Sequence, residues 1–180
     1  MLNLALVSSA GAYIDGTAPF DTSAPDGDFS FREIPSQIEA QELRVCGARG
    51  YDPSAVESDS NSLLPLGRLF EFENNGIIGQ LNPVFWSCCG FIPNAAQLVE
   101  EMVPQLVERI KRHEVQAALL IPASRLCHQS ISLIARALEA GDIPTMTLAV
   151  VKEVVASVRP PRCSPLCWET GRGRRAAKLP

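Results

Sequence analysis

The stretch of this 180-residue chain best suited to chemistry runs Ala118-Leu119-Leu120-Ile121-Pro122-Ala123-Ser124-Arg125-Leu126-Cys127-His128-Gln129-Ser130. An apolar run ends in a short turn, and a cysteine stands where the next helix begins. A helix amino terminus presents free N–H groups and partial positive charge, which favour a thiolate and make a cysteine there nucleophilic near neutral pH. Cys127 is therefore the candidate nucleophile. The competing reading is a small apolar residue packed under a helix, because free cysteine is among the most buried residue types. His128 could pass a proton to a leaving amine or steady the thiolate. Adjacent helical residues point about 100° apart, so hydrogen bonding at the helix start is its alternative. Gln129 and Ser130 bring N–H groups near that start which could hold an anionic part of a substrate. Ordinary capping is their alternative.

Other polar clusters are weaker candidates. Asp52, Asp59 and Asn61 lack the spacing of a calcium loop and have no histidine to match, which favours a solvated turn over a metal site. Cys88 and Cys89 adjoin Phe85, Trp86 and Phe91, so packing is favoured over a role as a resolving thiol. Cys163 and Cys167 are too few for a zinc site. His113 closes a helix, where a structural role at the negative end of the dipole suits it. The sequence thus implies no metal.

The elements that must position these residues follow from hydrophobic periodicity. Leu4 to Ser8 reads as a buried strand, and Leu43 to Cys46 as a short second one. Residues 15 to 36 are crowded with aspartate, glycine and proline and read as a long loop. A helix is expected over 65 to 75, with Pro65 in its first turn and Asn74-Asn75-Gly76 after it. Residues 77 to 93 read as an extended segment followed by a packed loop. Asn94 to His113 places Leu98, Met102, Leu106, Val107 and Ile110 on one face, the mark of an amphipathic helix. Ala117 to Ile121 is a strand, Cys127 to Ala140 a helix ended by Gly141, and Thr145 to Val150 a strand. Lys152 to Ser157 begins a further helix. This alternation predicts a three-layer α/β domain over residues 1 to 162, Rossmann-like, with a mostly parallel sheet and helices on both faces. Ligands of such sheets bind beyond the carboxyl ends of the strands, and Cys127 lies just past one. Residues 163 to 180 are basic and turn-rich, without helix or strand period, and are expected to be a disordered tail.

Composition narrows the class of function. Hydrophobic residues make up 46% and charged residues 20%, ordinary proportions for a globular domain. A net charge of -4 and a pI near 5.2 argue against nucleic acid or an anionic membrane surface as partner. No apolar run is long enough to cross a bilayer. The opening Met-Leu-Asn-Leu-Ala-Leu-Val lacks the positive flank of a signal peptide and reads as a buried strand. Six cysteines without an export signal point to a reducing cytoplasm, where they are core residues or reactive thiols.

Ordered segments carry a resemblance to a known family. They are Leu4-Ala5-Leu6-Val7-Ser8-Ser9-Ala10-Gly11-Ala12-Tyr13, Pro19-Phe20-Asp21, Asp26 to Pro35, Tyr51-Asp52, Asp59, Asn61 and Pro65 to Leu69. Gly76 to Gly79, Cys127 to Ser130, Leu133 to Arg136, Glu139-Ala140 and Ile143-Pro144-Thr145 continue the order, so that it covers residues 3 to about 162. The sequence resembles the selenoprotein B subunits of the glycine/sarcosine/betaine reductases, and within them the D-proline reductase branch. The resemblance implies an oxidoreductase subunit in which Cys127 takes the place of selenocysteine or cysteine and cleaves a C–N bond of a small amino acid reductively. It implies no cofactor in this chain, a pyruvoyl group on a partner subunit that holds the substrate amine, and a dithiol protein as electron donor. The proline-like preference rests on Cys127-His128-Gln129-Ser130, since glycine-type members carry further cysteines after the reactive residue.

Three departures stand out. Ser124 occupies the place where many relatives have a second cysteine, so resolution would fall to Cys88, Cys89 or another protein. Arg125 adds positive charge beside the candidate thiolate. The residues after Pro160-Pro161-Arg162 do not resemble the family, an ending that a frameshift or truncated gene would produce. A non-catalytic remnant or interaction subunit is the alternative these departures favour.

Overall fold

The computed structural model describes residues 1–46, 59–149, 154 and 157–165. Strand β1 is Asn3–Ser8 and lies mid-sheet, which explains its unbroken apolar run. Ala5 and Val7 face one hydrophobic cluster, while Leu4 and Leu6 join the other. Strand β2 (Ala12–Ile14) leaves this sheet and pairs antiparallel with β4 (Leu43–Val45), Tyr13 opposite Arg44. Between them comes β3 (Phe31–Pro35). Helix α1 (Leu66–Asn74) begins after Pro65, and its buried Leu69 joins the cluster that holds Leu6 and Phe85.

The remaining strands complete the main sheet. β5 (Gln80–Leu81) and β6 (Val84–Cys88) run parallel to β1 on one side, and β7 (Ala117–Ile121) runs parallel to it on the other. β8 (Thr145–Ala149) and β9 (Cys163–Pro165) extend that second side, again parallel. The order is β3-β6-β1-β7-β8-β9, with β5 also beside β1 and only β3 antiparallel. Helix α2 (Val103–Arg112) and helix α3 (Cys127–Ala140) cover the face opposite α1. The fold is α/β, a mostly parallel sheet with helices packed on it.

Several expectations meet the structure closely. Strand Ala117–Ile121 and helix Cys127–Ala140 have the bounds that their patterns predict. The helix expected from Asn94 is continuous but not uniform: an α turn at Ala95–Gln97 passes into a π-helical turn at Leu98–Met102 before α2. Pro104 at the second position of α2 has no N–H to give to the turn before it. An altered turn there is the physical consequence. The loop read over residues 15 to 36 contains β3, a strand hidden by the aspartates and prolines around it. β9 lies in the segment expected to be a tail, because β8 offers an open edge and Thr147 donates its N–H to the Arg162 carbonyl at 3.0 Å. Residues from 166 onward, and most of the helix expected at Lys152 to Ser157, lie outside the described residues.

Candidate functional site

The carboxyl ends of β1, β6 and β7 converge, and short polar segments leave each of them. Ser9 donates its N–H to the Ile121 carbonyl at 3.1 Å, Gly90 to Ser9 at 3.0 Å, and Gly11 to Cys88 at 2.9 Å. The Ser9 hydroxyl accepts the Ala123 N–H at 2.9 Å, and the Ser87 hydroxyl accepts that of Ala12 at 2.8 Å. These buried serines supply partners for backbone groups that no strand can satisfy there. Cys88 ends β6 and Cys89 follows it, Cys127 comes after β7, and Cys46, after β4, is held at this edge by its N–H to the Gly11 carbonyl.

Cys127 is the first residue of α3, as its sequence position implies, and its side chain is fully buried. Its sulfur lies 2.9 Å from the Ser124 hydroxyl, which also accepts the Cys127 N–H at 3.4 Å. Ser124 thus does at the helix start what a capping residue does. The exposed Arg125 and Leu126 form the turn above it.

His128 is 1% exposed. Its Nδ1 lies 2.9 Å from the Ser124 carbonyl and 3.1 Å from that of Arg125, and since carbonyls only accept, Nδ1 carries the proton. Burial holds its pKa below the ordinary 6.5, outweighing the two carbonyls that favour the charged ring. Near neutral pH His128 is a neutral donor that ties α3 to its own turn. Because its pKa is lower in the folded chain, the unfolded chain takes up the proton first as the pH falls. Its stabilising contribution is complete above about 6.5 and is lost as pH falls from there to the folded value. Urea midpoints measured from pH 7.5 to 5.5 are expected to fall more steeply for the native chain than for His128→Asn, whose amide keeps the donor without titrating.

Gln129 is half-buried, and its N–H reaches back to Leu126 at 3.4 Å. Ser130 is fully buried and its hydroxyl accepts the Ile92 N–H at 3.3 Å, fastening α3 to the loop after β6. The structure therefore brings Cys127, His128 and Ser130 together at one helix start, each with a protein partner.

The other candidates fall into place around them. Burial pushes the Cys88 thiol up to about 12, and the neighbouring Cys127 sulfur adds to the effect. Cys89 does not pair with Cys88 but with Cys46, their sulfurs 3.2 Å apart, a contact that sequence spacing gave no sign of. Asp59 accepts the Asn61 N–H at 3.0 Å in a capped turn, and Asp52 lies outside the described residues. His113 caps α2, stacks edge-on against Trp86 with centroids 5.2 Å apart, and gives its carbonyl to Asn3 and Asn82. Among the described residues no group of three or more histidine, cysteine or carboxylate side chains is placed to hold a metal ion. No described helix is long and apolar enough to cross a membrane.

An α/β sheet with a cysteine at the head of the helix after β7 defines a class broader than one family. Comparison narrows it: residues 5–123 match the family model of glycine/sarcosine/betaine reductase selenoprotein B, and the chain belongs to that family. It is 30% identical over 161 residues to D-proline reductase subunit gamma of Acetoanaerobium sticklandii, a match covering 89% of this chain and 65% of that protein. It is 26% identical over 119 residues to glycine reductase complex component B subunit gamma of Symbiobacterium thermophilum, covering 64% of this chain and 27% of that one. Betaine reductase complex component B subunit beta of Peptoclostridium acidaminophilum is 24% identical over 109 residues, 61% of this chain and 25% of the relative. The chain thus spans about two thirds of the length of the first of these relatives and about a quarter of the other two. No solved structure matches significantly.

Proposed function

We propose that this chain is the thiol-bearing subunit of a reductase of the D-proline type, cleaving a C–N bond of a small amino acid reductively through Cys127. The observation that carries the reading is the place of Cys127: first residue of α3, just past the carboxyl end of β7, in a member of the selenoprotein B family. The identity to a D-proline reductase subunit supports the branch, and the match is long enough to take in Cys127. A pyruvoyl-bearing partner subunit would hold the substrate amine. The Cys127 sulfur would attack the adjoining carbon as the C–N bond breaks, and the amine would leave with a proton. A second thiol would then attack that sulfur; the S–S bond forms as the C–S bond breaks, the electron pair stays on carbon, which takes up a proton, and the disulfide is left for a dithiol donor to reduce. His128, Gln129 and Ser130 act in this reading by holding the helix start in place, and His128 is the candidate to pass a proton to the leaving amine. The complex would work in the cytoplasm.

Cys127 has no exposed surface, so the reading requires the Arg125–Leu126 turn to open when the partner docks. A second reading, a non-catalytic or remnant subunit, draws on the same burial and on Ser124 standing where a second thiol would be. Maleimide labelling followed by peptide mapping separates them. The first reading expects Cys127 to be modified at a rate that rises when the pyruvoyl-bearing partner is added. The second expects no modification of Cys127 with or without the partner.

A further inference from the structure

We propose that Cys46 and Cys89 form a two-electron dithiol/disulfide couple that exchanges with disulfides of small molecules such as glutathione, a redox site separate from Cys127. Their sulfurs stand 3.2 Å apart although 43 residues separate them in sequence. Both are held by backbone rather than by chance contact of long side chains. Cys46 follows β4 and donates its N–H to the Gly11 carbonyl at 3.0 Å, while Gly11 donates to the Cys88 carbonyl at 2.9 Å. Cys89 pairs with Ala10 in an isolated antiparallel bridge. The Ala10–Gly11 turn is thus clasped between the two cysteines. Gly11 has φ of 67°, and a Cβ there would meet the Cys46 sulfur at 2.3 Å, so a side chain at this position is incompatible with the pair.

The two sulfurs have unequal roles. Cys46 is half-buried, and the hydrogen bond from Cys89 holds its thiol below the ordinary range. Cys89 is 5% exposed and raised by that same bond and by burial, and it lies on the wall of a narrow cleft formed with Asp21, Gly27, Asp28, Phe91 and Pro93. Cys46 is the attacking sulfur and Cys89 the resolving one. The Cys46 thiolate attacks one sulfur of a disulfide RSSR; the Cys46–SR bond forms, the S–S bond breaks and RS⁻ leaves. Cys89 gives its proton to solvent and attacks the Cys46 sulfur, closing Cys46–Cys89 and expelling the second RS⁻. Two protein thiols and RSSR become one protein disulfide and two RSH, with two electrons passing to RSSR; a dithiol reverses the step. The closed bond ties the end of β4 to the exit of β6.

The full-length chain in glutathione buffers of graded oxidised-to-reduced ratio, quenched with maleimide in denaturant so that buried thiols also react, and mapped by mass spectrometry, tests this. Two of the six cysteines are expected to escape alkylation reversibly, in one linked pair of peptides containing Cys46 and Cys89. Cys46→Ser and Cys89→Ser each abolish the link, Gly11→Ala lowers the linked fraction several-fold, and Cys127→Ser leaves it intact. Alkylation of all six at every ratio, or a link joining other cysteines in the native chain, overturns the proposal, and neither needs a variant to fold. Retention of the link when Cys127 is inert or replaced separates this site from the proposed reductase reading.

Discussion

Replacing Cys127 with serine is expected to lower turnover of the assembled reductase by at least about 10³-fold, because a hydroxyl is a far weaker nucleophile and leaving group than a thiol. The same change should cost only about 1 kcal/mol of stability. The side chain is fully buried, yet the new hydroxyl would sit where the sulfur now lies, 2.9 Å from the Ser124 hydroxyl, and so has a hydrogen-bond partner. Serine is nearly isosteric and leaves no cavity. Cys88→Ser serves as the control: Cys88 is equally buried at the end of β6, but it sits inside a strand and not at a helix start. It should leave turnover within a few-fold of the native value. Steady-state kinetics of the complex, with urea unfolding of each variant, supplies both measurements. Turnover by Cys127→Ser at the native rate would sink the catalytic reading and leave the interaction subunit.

That contrast shows which features the sequence could carry. The position of Cys127 at the head of α3 was legible because it depends on local periodicity: Ile131, Ile134, Ala135 and Leu138 mark one helical face, and Gly141 follows its end. The burial of Cys127 stood in the sequence only as the alternative to an exposed thiolate, since the choice depends on the packing of α3 against the sheet and the loop after β6, which Ser130 secures through Ile92. β3 is hidden from local reading for a related reason. Its five residues are fixed by pairing with β6, Glu33 opposite Trp86 and Ile34 opposite Phe85, about 50 positions away in sequence. Turn residues on both sides dominate any local window. The Cys46–Cys89 contact is the extreme case. Each cysteine has an adequate local reading, one as a strand end and the other as a packed loop residue, and only the clasp around Gly11 joins them.

Trp86→Ala is expected to cost about 3–5 kcal/mol, a large part of the roughly 5–15 kcal/mol that holds a domain of this size together. Trp86 is the largest fully buried side chain among the described residues and belongs to the cluster shared by β6, α2 and α3. Its ring meets that of His113 at 85°, at the end of α2, and its Nε1–H donates to Glu33 Oε1 on β3 at 3.3 Å. Glu33 in turn reaches Arg109 of α2 at 3.3 Å. One side chain therefore joins the antiparallel edge strand, the parallel sheet and the covering helix. Alanine removes the ring, opens a cavity too apolar to hold water well and deprives Glu33 of a donor. Trp86→Phe keeps most of the apolar contact and should cost less, with the difference between the two variants reporting the cavity. β6 ends two residues beyond Trp86, at Cys88, so loosening it should also expose the thiols. Alkylation of Cys88 and Cys89 is expected to quicken in Trp86→Ala while that of Cys163, on the far edge of the sheet, stays unchanged. A loss below about 1 kcal/mol by urea unfolding would mean that Trp86 does not bind the seam between β3, β6 and α2 together.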